Sequence, residues 1–106
     1  MEILLIYLRV EKVLVTPLDV NITFNDDPLR LLRAIRFSIT KGFKLRQDIH
    51  SIIHCFDYSN KMKVVSKERI REELLKCFEH DSLLTIKLLN EYKYLSAFIF
   101  NKIDGE

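Results

Sequence analysis

Leu31, Leu32, Ala34, Ile35 and Ile39 share one arc of a helical wheel, from about 40° to 200° when Arg30 is set at zero and each residue turns about 100°. Arg30, Arg33 and Arg36 fill the opposite arc, about 240° to 360°. A strand alternates faces at every residue and would scatter both sets. The pattern therefore predicts a helix with a core face and a guanidinium stripe about 9 Å long at a rise of about 1.5 Å per residue. Asp27 is suited to cap it, Pro28 to open it without losing a needed hydrogen bond, and Gly42 to end it after Lys41 in the left-handed conformation.

Other helices are read the same way. One is expected from about Gln47 to Phe56, followed by the linker "DYSNKMK". Ser66 can cap another from Lys67 to about Phe78, with Ile70, Leu74, Cys77 and Phe78 as its apolar stripe and Val65 packed just ahead of it. A fourth opens at Asp81 or Ser82 and runs through Tyr92 or beyond, and "YLSAFIF" supplies a hydrophobic tail. Upstream, "KVLVT" reads as a short strand or extended entry ending at Pro17, and Pro17 to Asn25 as a polar loop. The expected fold is mainly α: a small bundle of about four to five helices behind a short extended N-terminal arm. Residues 1–25 form the arm or linker, and 26–106 the helical domain.

With two Gly and two Pro in 106 residues, and nearly half the chain hydrophobic, the sequence suits one globular domain rather than a disordered or disulfide-stapled one. Its longest apolar run, Ile3 to Leu8, is far short of a membrane span, and no signal peptide is recognisable. The expectation is a soluble intracellular protein with no membrane partner and with Cys55 and Cys77 reduced.

The charge is unevenly spread. Residues 30–46 carry six Arg or Lys and no acid, whereas the whole chain nets only +2. Residues 61–76 hold six more basic residues against three Glu. Concentrated basic character is the footprint of a phosphate-rich partner, against the plainer reading of a solvated helix face. Three arginines with no acid among them repel one another and stand near the positive end of the helix dipole, a local cost that often marks a functional site. His50 and His54, with Cys77 and His80, are metal-ligand types, but such pairs from separate packed helices rarely converge, and no metal site is expected.

"TPLDVNITFNDDPLRLLRAIRFSITKGFKL" closely resembles a segment of the tRNA nucleotidyltransferases, the CCA-adding enzymes grouped with bacterial poly(A) polymerases as a class II family. The Glu/Asp-Asp-x-x-Arg motif of that family appears as Asp26-Asp27-Pro28-Leu29-Arg30, and its further arginines match Arg33 and Arg36. "VSKERIREELLK" resembles the next helical element, with the Ser-x-Glu-Arg-Ile pattern. The resemblance covers about residues 13–100 and corresponds to the helical neck of those enzymes.

What it implies is specific. Asp27 and Arg30 would read the base of an incoming ATP or CTP, and Arg33 and Arg36 would lie on the ribose and phosphate side. Lys61, Lys63, Lys67, Arg69 and Arg71 are candidates for an RNA backbone, with tRNA or other RNA 3′ ends as the partner. Arg69 is alternatively placed to pair with a neighbouring acid. Catalysis in the family rests on an Asp-x-Asp that holds metal ions, beside a Gly-rich segment and an Arg-Arg-Asp motif. None of these motifs occurs in this sequence. No catalytic residue is therefore assigned here, and the chain alone is expected to be inactive. Mg²⁺ is expected only with a catalytic head, supplied by a second chain or an upstream segment. A free-standing RNA-binding module and an inactive truncated remnant are the rival readings.

Overall fold

The computed structural model describes residues 6–8, 13–15 and 19–104. Two strands, β1 (Ile6–Leu8) and β2 (Val13–Val15), pair antiparallel with Tyr7 opposite Leu14. β2 is the extended entry expected of "KVLVT"; the Thr16-Pro17 turn lies outside the described residues. Helix α1 (Val20–Asp26) leads into α2 (Leu29–Lys41), and β3 (Lys44–Leu45) then pairs parallel with β2. The rest is helical: α3 (Gln47–Cys55), α4 (Tyr58–Lys61) with a single 3₁₀ turn at Met62–Val64, α5 (Lys67–His80), α6 (Ser82–Glu91) and α7 (Lys93–Asp104).

The chain is thus mainly α, with seven α-helices among the described residues where four to five were expected. The additions have local causes. The supposed polar loop of residues 17–25 holds α1, whose N-terminus Asp19 caps by accepting from the Asn21 N–H at 2.8 Å. The supposed linker after α3 holds α4, capped by Asp57, and the 3₁₀ turn. Tyr92 breaks the last expected helix into α6 and α7, and the Ser96 hydroxyl satisfies the carbonyls of Leu89 and Tyr92 across the break. No described helix is long and apolar enough to cross a membrane.

The remaining boundaries follow the sequence closely. Gly42 ends α2 with φ 71°, and Ser66 caps α5 by accepting from the Arg69 N–H at 3.3 Å. Val65 is buried just ahead of that cap. The core face of α2 is buried as the wheel requires, and with Ile49, Ile53, Ile70, Leu95 and Ile99 it forms one apolar cluster. Phe78 departs from its expected stripe. It is 36% exposed, whereas Ile70, Leu74 and Cys77 are buried. α2 packs chiefly along α5, and the two run in the same direction: Asp27 meets Arg69 near their starts, and Arg36 meets Glu73 further on.

Candidate functional site

The seam between α2 and α5 carries the arginine stripe. Asp27 stands at the corner between α1 and α2, one residue ahead of Pro28. Its two oxygens have different neighbours. Oδ1 accepts from the Leu29 N–H at 3.3 Å, which is the expected capping role. Oδ2 lies 3.7 Å from an Arg69 terminal nitrogen, and the side chain is 28% exposed. Arg69 therefore does find an acid, and the acid is across the seam rather than in its own turn.

Arg30 folds back over α1. One terminal nitrogen donates to the Thr23 carbonyl at 3.0 Å and to Asp26 at 3.3 Å, and the side chain is only 12% exposed. The Arg30 Nε and the Thr23 hydroxyl are buried with no partner among the described residues. Unpaired polar atoms in such a place are rare, because each costs about 1–3 kcal/mol. Two of them on residues that are themselves hydrogen-bonded to each other mark this corner as incompletely satisfied.

Further along the stripe, Glu73 answers Arg33 and Arg36. One carboxylate oxygen accepts from Arg33 Nε at 3.3 Å and the other from Arg36 Nε at 2.5 Å, while Lys76 approaches to 3.9 Å. Glu73 is 3% exposed, one of three buried polar or charged residues among those described. A carboxylate is buried this deeply only where cations hold it. Sequence reasoning passed over it, yet a signal was there. With Ile70 set at zero, Glu73 falls at about 300°, next to the apolar arc that runs from Cys77 at about 340° to Leu74 at about 40°. An acid among the core positions of α5 is the counterpart of the acid-free stripe on α2.

Burial and the neighbouring Glu73 charge push the Cys77 thiol up to about 11, opposed in part by Arg36. The other candidates are more scattered. Lys61 lies near the Phe56 ring on α4, and the Lys63 carbonyl accepts from Lys102 Nζ at 2.6 Å. Lys67 is half-buried, whereas Arg69 and Arg71 are exposed at the start of α5. The first two thus belong to the 3₁₀ end of the molecule, and of the other three Arg69 is the one brought to Asp27. His50 bonds the Tyr92 hydroxyl through Nδ1 at 2.8 Å, and His54 packs its ring on the same tyrosine. Among the described residues no three metal-ligating side chains converge.

Two curated proteins of Schizosaccharomyces pombe align with this chain. The tRNA nucleotidyltransferase cca2 is 37% identical over 91 residues, covering 78% of this chain and 18% of that protein. The tRNA nucleotidyltransferase cca1 is 33% identical over 70 residues, covering 65% of this chain and 14% of that protein. The chain resembles part of a tRNA nucleotidyltransferase. It spans less than a fifth of the length of either relative. No family profile matches it, and no solved structure does. The resemblance read from "DDPLRLLRAIR" and "SKERIREELLK" is thus supported by similarity over most of the chain.

Proposed function

We propose that this chain is the base-selecting neck of a class II tRNA nucleotidyltransferase or poly(A) polymerase-like enzyme, working on RNA 3′ ends with a catalytic head supplied by other residues. The observation that carries the reading is the Asp27 corner. There a carboxylate whose side chain is 28% exposed has only one oxygen engaged by the helix start, and Arg30 follows it by one turn, its guanidinium engaged in part by the Thr23 carbonyl and Asp26.

The chemistry follows from hydrogen-bond sense. A carboxylate oxygen accepts from the exocyclic amine of cytosine or adenine, and a guanidinium donates to the adjacent ring nitrogen. Guanine and uracil present the reverse order there, setting a carbonyl against the carboxylate and an N–H against the guanidinium. Each well-made pair discriminates by about 1–3 kcal/mol. Asp27 Oδ2 is the oxygen for this task, because its contact with Arg69 is long and on the exposed side. Arg30 is the donor, through guanidinium N–H groups beyond the nitrogen that bonds Thr23 and Asp26. Arg33 and Arg36, fixed by Glu73, set positive charge along the ribose and phosphate side, where it serves any base. Arg69 continues that charge toward an RNA backbone at the same corner, with Lys67 and Arg71 on the same first turns of α5 and Lys61 and Lys63 further off. Mg²⁺ would be held by the Asp-x-Asp carboxylates of the head and not by residues here.

The test is a graft. Residues 19–104 replace the aligned segment of the S. pombe cca2 protein, and incorporation of each nucleotide into a tRNA 3′ end is measured. The graft should favour CTP and ATP over GTP and UTP by about tenfold or more, and Asp27→Ala should erase the preference. A working graft that takes all four nucleotides alike refutes the reading. A free-standing RNA module would instead tolerate Asp27→Ala.

A further inference from the structure

At the far end of the seam, Arg36, Thr40 and Lys41 of α2 face Lys76, Glu79 and His80 of α5 across an open cleft of about 400 Å³. Three cationic side chains and one histidine stand there against a single acid at the lip. Glu73, just inside, is shared between Arg33 and Arg36 and lies 3.9 Å from Lys76, so it offsets part of this charge, and the cleft still holds more cations than acids. Because α2 and α5 run in the same direction, both end here, and basic residues in last turns offset the helix dipoles. That accounts for each cation singly. It does not account for cations on two helices lining one open cleft.

We infer that this cleft is a phosphate site, filled by a backbone phosphodiester of single-stranded RNA. Lys41 and Lys76 supply the charge, both on flexible exposed stems, and the Thr40 and His80 side chains line the walls. Arg36, held by Glu73 through Nε, lines the same cleft. Lys41 lies eleven positions from Arg30 along α2, about 16 Å at about 1.5 Å per residue. A few stacked nucleotides cover that distance at about 3.4 Å each, so one strand can reach both ends of the seam. The inference rests on the reading above in taking RNA as the ligand, but it concerns different residues.

The experiment uses the full chain, a short labelled single-stranded RNA and fluorescence anisotropy across a salt series. Lys41→Gln with Lys76→Gln should lower affinity about tenfold at low salt and reduce the slope of log K against log salt by about 1.4, at about 0.7 per phosphate contact. The control pair Lys87→Gln with Lys93→Gln removes the same charge from the α6 and α7 surface and should leave the slope within about 0.3. Equal losses in the two pairs overturn the site, because net charge alone would then explain binding. Amide NMR of the unmodified chain with the same RNA gives a second readout, with shifts expected at residues 40–41 and 76–80. Shifts confined to other regions overturn it as well. Inorganic tripolyphosphate separates the two phosphate sources. If the cleft pair loses tripolyphosphate binding and keeps RNA binding, the occupant is a nucleotide tail and the RNA assignment falls. Loss of C and A preference in the graft, with the cleft slope intact, would remove the base-reading role and leave this site standing.

Discussion

Replacing Glu73 by glutamine strikes the point where α2 and α5 are tied together. Its side chain is 4% exposed and accepts from Arg33 and Arg36, which are 19% and 15% exposed. Glutamine keeps the volume and one acceptor but loses the charge, and it turns an amide N–H₂ toward one of the two guanidiniums. A hydrogen bond to a charged group contributes about 1.5–3 kcal/mol, against about 0.5–1.5 for a neutral one. Two contacts weakened in that way, one of them reversed in sense, cost about 2–4 kcal/mol. Removing one partner of a fully buried ion pair costs about 3–5 kcal/mol. The arginines retain some water contact, which favours the lower figure, about 2–3 kcal/mol. In a chain of this size each kcal/mol moves Tm by about 4–8 °C, so the melt followed by circular dichroism at 222 nm should fall by about 10–20 °C. Urea unfolding should show a lower midpoint with an unchanged m-value. Glu73→Leu combined with Arg33→Met and Arg36→Met should recover most of the loss, because an apolar set of similar volume can replace a buried ion cluster. A fall of less than about 3 °C in Glu73→Gln would refute the argument: the seam would then be held by its apolar contacts, with the carboxylate incidental.

Two further outcomes test other parts of the fold. Gly42 adopts φ 71°, and a Cβ built there meets nothing within 4 Å, so Gly42→Ala isolates backbone strain. It should cost about 1 kcal/mol in urea unfolding, with Gly42→Asn milder, whereas no change would show that the α2 exit does not need the left-handed residue. Thiol labelling near pH 8 should modify the exposed Cys55 well before the buried Cys77, whose raised value of about 11 keeps it protonated. Equal rates would refute the burial of Cys77 under Arg36 and Glu73.

The helices with unbroken periodicity were legible in the sequence. For α2, α3 and α5 the observed ends fall within two residues of those expected, because caps and a terminal glycine are local signals. α1 was not legible. Its seven residues bury Thr23 and Phe24 against the bundle, and turn-forming Asp19 and Asn21 serve there as cap and first turn. The break at Tyr92 lacks Gly and Pro and is stabilised by Ser96, so no residue type announces it.

The candidate site divides along the same line between local and distant causes. Asp27 as a cap and the guanidinium stripe of Arg30, Arg33 and Arg36 follow from spacing within one helix. What two members of the stripe hold does not, because Glu73 comes from forty residues on. Three arginines without an acid read as a site awaiting an anion. The fold supplies one carboxylate to Arg33 and Arg36 and a backbone carbonyl with Asp26 to Arg30. Much of the stripe is therefore architecture, and the groups open to a ligand lie at its two ends. At one end, Asp27 keeps an oxygen beside Arg69; at the other, Lys41 and Lys76 face each other across the cleft. Glu73 lies between those ends and ties α2 to α5, so a change that loosens it should disturb phosphate contact directly, through Arg36 and Lys76, and base preference through the helix spacing.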